Sequence, residues 1–517
     1  MYNLNINKKI KNNLNLIYKE NKRINSKNKL LKGCLDKDFI NKKKNFSSPP
    51  FQYFSINYFN FSEKLNSKSK KKIQEEINFL LSLQNKDGSY DEWYKNERSF
   101  CTTSYSSFLI SNLLLENDKL DYDFKKKLTL SLEKSFNFLK NKSNKNILNQ
   151  NLAKLIFLIN FAKIDNNKNE IILSELSSHL NSVYDTVINS IEHEYKGIDL
   201  GYLTISLMLS AEILKKKNCK KTEKIFLRLL KLSKSLTLNF NYFPSYIFSR
   251  SSRIFLIYGF YFALRQNFIN PSEFRNIYKF YNQNFTLIYN SKNFRYLSFF
   301  FSTDKVKVLL DNGKKIFKKN YIDKKIKKID DYLTFINKDI KIFIYKKNPN
   351  LIAFFIKGKI KILLCDILVL NNKKYLPVIL KNIKVLDKKI LIKQKFIKIN
   401  NLKNIAFRFI ALISILSKIK ILNKFIDYFA KYFLIIKKKE NNNFKKFKTI
   451  YIKDKKFFIK EIIISDKSKY YMVPNFEAHY FSPTSFLSKN EILRPKKMIT
   501  KELYKMNKKV FITSYEF

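Results

Sequence analysis

The sequence is poor in the residues on which several common kinds of site depend. Its 517 residues include only 4 Cys and 3 His, and the cysteines form no CxxC pair. Neither a disulfide framework nor a zinc site is therefore predicted, and no metal or organic cofactor is called for. No apolar run reaches about 18 residues, which argues against an ordinary transmembrane helix. The first residues carry no apolar export signal, so we predict a cytoplasmic location.

Acidic residues are also scarce relative to basic ones. There are 42 Asp and Glu against 101 Lys and Arg, which gives a formal net charge of +59. Such a charge attracts polyanions, and one interpretation is a surface that binds them by neutralising charge. The alternative is drift in an A/T-rich genome, because Lys rises together with Asn, Ile, Phe and Tyr. The lysines are scattered through every segment, which favours drift and predicts no specific nucleic-acid partner.

The hydrophobic residues and their spacing predict a folded chain with a helical part followed by a β-rich part. Hydrophobic residues make up 45% of the sequence, enough to bury a core. Apolar residues recur at three- and four-residue steps from about residue 63 to 266, in eight stretches of ordinary helix length. Strict alternation follows later, as in Lys305–Leu310, Ile340–Tyr345, Lys359–Leu364 and Lys448–Lys453, and is typical of antiparallel strands with one solvated face.

We therefore predict an α+β multidomain protein, in which an α/α toroid of helical hairpins precedes an antiparallel β-sandwich-like domain. The alternative for the first part is an irregular helical bundle. The predicted divisions are a polar N-terminal arm over 1–62, the toroid over 63–285, the β-rich domain over 286–490 with a helical insert over 405–436, and a C-terminal tail over 491–517. The insert either packs on the sheet or lies on a membrane surface as a peripheral contact.

One turn carries a recognisable motif. The segment Leu83–Tyr94 reads LQNKDGSYDEWY and holds one of only 7 glycines and the single Trp. Gly88 suits a turn that a side chain would resist, Gln84 is placed to bond to a neighbouring helix, and Asp87 to cap one. The segment resembles the Q-x-x-D-G-S-W turn of α/α-toroid proteins in the squalene cyclase and prenyltransferase superfamily, with Tyr90 where that pattern has Trp. The sequence lacks the acidic clusters of a cyclase and the zinc ligands of a prenyltransferase, so action on an isoprenoid is the less favoured alternative.

Three further segments resemble uncharacterised toroid proteins of polysaccharide gene clusters, related to the heparinase II/III-like group. They are Asn96–Tyr105, the pair Asn149–Gln150, and Glu192–Leu203. The resemblance implies a toroid followed by a β-sandwich, as the order of helices and strands here suggests. It also implies β-elimination on an acidic, uronate-containing polysaccharide, in a cleft where the Asp87–Arg98, Asn149 and Glu192–Tyr202 loops meet.

β-Elimination needs a neutralised uronate carboxylate, a base that takes the C5 proton and an acid for the leaving oxygen. The candidate catalytic residues are His193 and Tyr202 for proton transfer, Asn149 for the carboxylate and Arg250 for charge. The candidate substrate-binding residues are Gln150, Arg98, Glu97, Tyr94, Arg253, His479 and Tyr480.

Structural roles remain open for most of these residues. For Glu97 and Arg98 an ion pair at a helix start is favoured over a role in catalysis, and Asn149 is equally consistent with a helix cap and with a ligand. His193 lies between two glutamates that favour its charged form, which makes it a poor base at neutral pH. A non-catalytic glycan-binding or assembly factor on the same scaffold is thus the second functional hypothesis. The oligomeric state is not predicted.

Overall fold

The computed structural model describes residues 31–41, 46–61, 67–117, 120–144, 147–165, 169–189, 199–238, 254–289, 300 and 303–304, and twelve strands between residues 332 and 516. The chain divides into two compact units. The described helices belong to the first unit and the strands to the second. Each is described separately below.

The first unit is built from helices joined mostly by short connections. Within the described residues its helices of two turns or more are α1 (Tyr53–Phe61), α2 (Ser67–Ser82), α3 (Phe100–Glu116), α4 (Tyr122–Leu139), α5 (Leu148–Ile164), α6 (Asn169–Asn189), α7 (Leu200–Lys216), α8 (Lys220–Leu238), α9 (Tyr258–Arg265) and α10 (Pro271–Tyr289). Shorter turns occupy Lys37–Ile40 and Pro49–Phe51. The eight stretches predicted from periodicity correspond to α2 to α9, so that prediction is confirmed.

Two helices extend the predicted limits. The aromatic run that was assigned to the N-terminal arm forms α1, whose Tyr53 hydroxyl donates to the Thr102 carbonyl at 2.9 Å. That bond ties α1 to α3, so this part of the arm belongs to the helical unit. Helix α10 follows the last stretch predicted from periodicity and begins at Pro271, where proline suits the first helical turn.

The helices alternate between an inner and an outer row. Each odd-numbered helix packs against the next odd one, from α1 through α9. Helices α3 and α5 are buried on all sides, over residues 102–113 and 148–161. The even-numbered helix α4 instead buries one stripe, which includes Leu128, Leu132 and Phe136, as an amphipathic outer helix does.

Residues 303 and 304 connect the two ends of the inner row. The Asn57 amide of α1 donates to the Thr303 hydroxyl at 2.7 Å. The backbone N–H of Tyr258, at the start of α9, donates to the Asp304 carboxylate at 2.7 Å. A regular inner row, an outer row and this link are compatible with an α/α toroid.

Side chains at the helix starts explain where several inner helices begin. Ser99 accepts a hydrogen bond from the Thr102 N–H at the start of α3. Asp199 does the same for the Tyr202 N–H at the start of α7. These bonds satisfy backbone donors that have no partner within the helix. None of the described helices has the length and apolar character needed to cross a membrane.

The second unit consists of antiparallel strands in two sheets. Its described strands are β1 (Tyr332–Asn337), β2 (Ile340–Tyr345), β3 (Leu351–Ile356), β4 (Lys359–Leu364), β5 (Ile367–Leu370), β6 (Lys373–Leu386), β7 (Lys389–Ile399), β8 (Glu440–Lys453), β9 (Lys456–Ser465), β10 (Tyr471–Val473), β11 (Lys497–Lys505) and β12 (Lys508–Glu516). One sheet has the order β1-β2-β3-β4 and the other the order β10-β5-β6-β7-β8-β9-β12-β11. Packing of the two sheets as a sandwich stays a prediction.

Three of the alternating runs predicted as strands lie in this unit. Two of them coincide with β2 and β4, and the run Lys448–Lys453 forms the end of β8. The segment 491–517, assigned to a tail, contains β11 and β12, which pair with each other, while β12 also pairs with β9. The run Lys305–Leu310 and the helical insert 405–436 lie outside the described residues.

Candidate functional site

The connection between α2 and α3 is a tightly bonded loop, residues 83–99. Its second half is closed by the Ser99 N–H, which donates to the Tyr90 carbonyl at 2.8 Å. Gly88 has φ of +86°, a left-handed conformation that side chains resist. A Cβ at this glycine would also lie 2.0 Å from the Lys134 carbonyl oxygen of α4. The predicted requirement for glycine at this turn is confirmed.

Gln84 attaches the loop to the outer helix α4. Its side-chain amide donates to the Ser131 carbonyl and the Ser135 hydroxyl, both at 2.9 Å, and to the Gly88 carbonyl at 3.0 Å. The predicted bonding of Gln84 to a neighbouring helix is therefore confirmed. Asp87 instead accepts from the N–H of Ser89, within its own turn.

Two carboxylates shape the rest of the loop by accepting backbone hydrogen bonds. Asp91 accepts from the N–H groups of Asn96 at 2.7 Å and Arg98 at 2.9 Å, two residues with positive φ. Glu97 accepts from the N–H of Trp93 at 2.7 Å and from that of the preceding residue. Burial raises the pKa of both carboxyl groups. Asp91 and Glu97 thus serve primarily to fix the loop backbone.

The loop presents an aromatic ring and a cation to solvent. Trp93 is 51% exposed, although its backbone is held by Glu97. The Arg98 guanidinium lies 3.4 Å from the Asp87 carboxylate. Tyr94, predicted to contact substrate, is instead buried.

A second cation approaches from the connection between α4 and α5. The Lys142 ammonium lies 3.3 Å from the centre of the Phe138 ring. Partial burial lowers the pKa of Lys142, and the negative charge of Asp87 opposes that effect. The positive charge of Arg98 lowers the pKa further. The connection at residues 140–147 and the loop at 83–99 are therefore electrostatic neighbours.

A buried ion pair holds the connection that carries Lys142. The Lys154 ammonium of α5 lies 2.6 Å from the Glu175 carboxylate of α6, with the two side chains 1% and 9% exposed. Lys154 also donates to the Lys142 carbonyl at 2.7 Å. Both Glu175 oxygens accept from the N–H of Asn141, at 3.2 Å. Glu175 and Lys154 thus fix the backbone of residues 141 and 142.

The sequence interpretation did not include this pair, although a signal was present. Lys154 stands within the apolar run of α5, where a cation is stable only when a carboxylate or carbonyl group pairs with it. Its partner lies 21 residues further along the chain and could not be identified from spacing. The same holds for His179 of α6, whose ring nitrogen Nε2 lies 3.0 Å from the Asn151 carbonyl oxygen.

Because His179 is buried, we expect the free energy of unfolding to decrease in acid. Burial lowers its pKa from 6.5 to about 4, and the charge of Lys154 adds to this. Because the pKa is lower in the folded than in the unfolded chain, protonation favours unfolding. The contribution of neutral His179 is complete above pH 6.5 and is lost as the pH falls toward 4.

We expect this group to contribute about 2–3 kcal/mol to the decrease in the free energy of unfolding between pH 6.5 and 4.5. His179→Gln keeps an N–H donor for the Asn151 carbonyl but does not titrate. Urea unfolding followed by circular dichroism should show a shallower pH dependence for the variant. Equal slopes for the two proteins would contradict the prediction.

The predicted site residues that the structure describes are mostly engaged in internal contacts. Asn149 is 3% exposed, and its amide oxygen accepts from the Tyr105 hydroxyl at 2.9 Å. It is not a cap, because Ile147 occupies that position. The Gln150 oxygen accepts from the Asn144 side chain at 2.8 Å. Tyr202 is partly exposed in the first turn of α7.

The remaining candidates and the third loop are outside the described residues. These candidates are His193, Arg250, Arg253, His479 and Tyr480. Of the Glu192–Tyr202 loop only residues 199–202 are described, so convergence of all three loops stays a prediction. The hydroxyl that contacts Asn149 belongs to Tyr105 of α3 and not to the Asp87–Arg98 loop, so the meeting of that loop with Asn149 also stays a prediction.

Comparison with protein-family models gives no match to this chain. Comparison with curated proteins gives none either.

Proposed function

We propose that the protein binds an anionic, uronate-containing polysaccharide. The binding surface is formed by Trp93 and Arg98 of the 83–99 loop and Lys142 of the neighbouring connection, and is called the Trp93 surface below. The observation that carries the proposal is the 51% exposure of the only Trp of the chain on a backbone fixed by Asp91 and Glu97. We place this surface at the mouth of an α/α toroid followed by a β-sandwich-like domain, as in the heparinase-like proteins.

The chemistry of the three side chains suits an acidic sugar chain. An indole ring offers a rigid, flat apolar face, on which the C–H groups of a sugar ring pack. The guanidinium of Arg98 and the ammonium of Lys142 are donors for carboxylate groups along the polymer. A fixed loop reduces the entropy lost on binding, because the backbone that carries the ring does not have to be ordered by the ligand.

Binding without catalysis is better supported than β-elimination. The Asn149 side chain is buried against Tyr105, so its amide N–H groups are not exposed to donate to a uronate carboxylate, as the lyase mechanism requires. Glu97 is occupied by backbone N–H groups. The lyase hypothesis still depends on proton transfer by His193 and Tyr202. Of these two residues, only Tyr202 lies in the part of the chain that the structure describes.

Action on an isoprenoid has less support. The cavity of a toroidal cyclase needs aromatic and aliphatic walls that leave a cationic intermediate undisturbed. The inner helix α3 instead buries a series of hydroxyl side chains, namely Thr102, Thr103, Ser104, Ser106, Ser107 and Ser111. These groups favour close helix packing in the inner row.

The single Trp makes the proposal directly testable. Polygalacturonate added to the full-length chain should change the fluorescence of Trp93, whereas a neutral dextran of equal length should not. Arg98→Ala and Lys142→Ala should each weaken binding by roughly tenfold, since each removes a charge-assisted contact of about 1.5 kcal/mol. The affinity should also fall as salt rises.

Lys126→Ala supplies the matched control, because Lys126 is an exposed cation on α4 away from the loop. If it weakens binding as much as Arg98→Ala does, attraction is a property of the whole +59 chain and the Trp93 surface is not the site. Absorbance of unsaturated uronates should stay constant during incubation. An increase in that absorbance would favour the lyase hypothesis over simple binding.

A further inference from the structure

Helix α6 differs from the rest of this cationic chain. Residues 169–195 contain no Lys or Arg, although these two residue types make up 101 of the 517 residues. The other outer helices that the structure describes, α2, α4, α8 and α10, all carry Lys or Arg. A helix with one side in solvent would ordinarily share the composition of the surface around it.

The solvent side of α6 carries no Lys or Arg of its own, and it combines exposed aliphatic side chains with polar ones and with the carboxylates Glu170 and Asp185. Ile171, Leu173 and Ile188 are 49%, 46% and 36% exposed, among the most exposed aliphatic side chains in the described part of the chain. Ser174 and Ser178 lie exposed between them. These five residues are called the α6 face below. Small hydroxyl side chains allow another helix to approach closely, and the aliphatic ones gain by leaving water.

One charge of each sign lies on this side of the helix, at positions between Ser178 and Ile188. Asp185 is exposed on α6 itself. Lys221 of the adjacent helix α8 donates to the Asn181 amide oxygen and lies 6.0 Å from the centre of the Tyr184 ring. In a two-fold pairing each copy presents the same patch to the other, so a patch that holds both signs can pair its anion with the cation of the second copy.

We propose that the α6 face is a self-association surface that docks a second copy of this chain across a two-fold axis. Two copies that each carry +59 repel one another wherever lysines meet lysines. Contact through α2, α4, α8 or α10 would bring cations together, whereas contact through the α6 face would bring together Ile, Leu and Ser. Among the outer helices that the structure describes, association of equal copies therefore costs least at α6.

The size of the face indicates a weak, concentration-dependent dimer. Stable interfaces bury about 1,200–2,000 Å² in total, and one helix face supplies the low end of that range at most. The net charge opposes the contact at long range, and salt screens that repulsion within about 10 Å at 0.1 M. Self-association should therefore strengthen as salt rises, which is the opposite of the salt dependence expected for polysaccharide binding.

Sedimentation equilibrium of the full-length chain tests the proposal. As the protein concentration increases, the average mass of the unchanged protein should rise toward twice that of the monomer. The rise should be larger at about 0.5 M than at about 0.1 M salt, because salt screens the repulsion between the two positive chains. Leu173→Lys and Ile171→Lys should each raise the dissociation constant at least roughly tenfold, because each buries a charge at the contact. Leu130→Lys on α4 is the matched control, since Leu130 is 47% exposed and lies outside the face.

Several results would overturn the proposal. They are a constant monomer mass at all concentrations, equal association of the Leu173→Lys and unchanged proteins, equal weakening by Leu130→Lys, and growth beyond a dimer, which indicates head-to-tail contacts. Circular dichroism of the variants shows whether a loss of association is caused by a loss of the fold. The sites in these variants are exposed, so their spectra should match that of the unchanged protein.

Discussion

Lys154→Met is expected to lower the free energy of unfolding by about 3–5 kcal/mol, because it leaves the Glu175 carboxylate buried without its cation. The two side chains are 1% and 9% exposed, so water cannot replace the lost partner. Glu175→Gln should cost a similar amount, since it leaves the ammonium of Lys154 unpaired. Urea unfolding followed by circular dichroism measures both losses.

The double variant Lys154→Met/Glu175→Gln measures the interaction energy between the two side chains, separately from their interactions with the rest of the protein. It contains no buried charge at this position, so it should be more stable than the sum of the single losses predicts, by about 2 kcal/mol. The exposed pair of Lys32 and Glu75 is the control, with its lysine side chain 62% exposed. Lys32→Met should change stability by less than about 1 kcal/mol. Additive losses at Lys154 and Glu175 would show that the two charges do not interact.

Gly88→Ala should lower the free energy of unfolding by about 3 kcal/mol, because two costs combine. The left-handed φ of +86° is strained for alanine, and the new Cβ would lie 2.0 Å from the Lys134 carbonyl oxygen. That oxygen belongs to the backbone of α4 and cannot rotate away. Relief of the clash requires the loop to separate from the helix.

Asn267→Ala isolates the first of these costs. Asn267 has φ of 62° but is exposed, so only backbone strain of about 1 kcal/mol is expected there. The difference between the two variants measures the close approach of the loop to α4. If both lose the same amount, the clash is relieved without cost. Loss of the loop geometry in Gly88→Ala should also reduce the response of Trp93 fluorescence to polygalacturonate.

Together the two predictions concern one structural unit. The turn at Gly88 fixes the 83–99 loop on α4, and the pair of Lys154 and Glu175 fixes the connection that follows α4. The Trp93 surface draws Arg98 from the first of these segments and Lys142 from the second. Its stability and its geometry therefore depend on the same buried contacts.

The sequence predicted the helical architecture because the signals involved are local. Spacing of apolar residues located α2 to α9, and the QNKDGS turn identified Gly88 as a position that needs glycine. Alternation likewise located β2 and β4. By contrast, α1 was taken for part of a polar arm, because nine residues of aromatic and polar character do not show which helix they pack against.

The candidate site was less predictable, for the same reason. Composition and motifs drew attention to Asn149, Glu97 and Tyr94, and the fold uses all three in its interior or its loop backbone. A polar residue type is compatible with binding and with structural bonding. Only the distance to a partner distinguishes the two roles, and the Tyr105 hydroxyl at Asn149 lies 44 residues away in the chain.

The sequence by itself determined helices α2 to α9 and the alternating runs at β2, β4 and the end of β8, the need for glycine at Gly88, and the large excess of positive charge. The tertiary structure alone decided that Lys154 meets Glu175, that the charge of Arg98 acts on Lys142, and that Ile171 and Leu173 of α6 face water. The physical reason is that periodicity and φ preferences act between near neighbours in the chain. Ion pairs and exposed faces depend on which distant helices pack together.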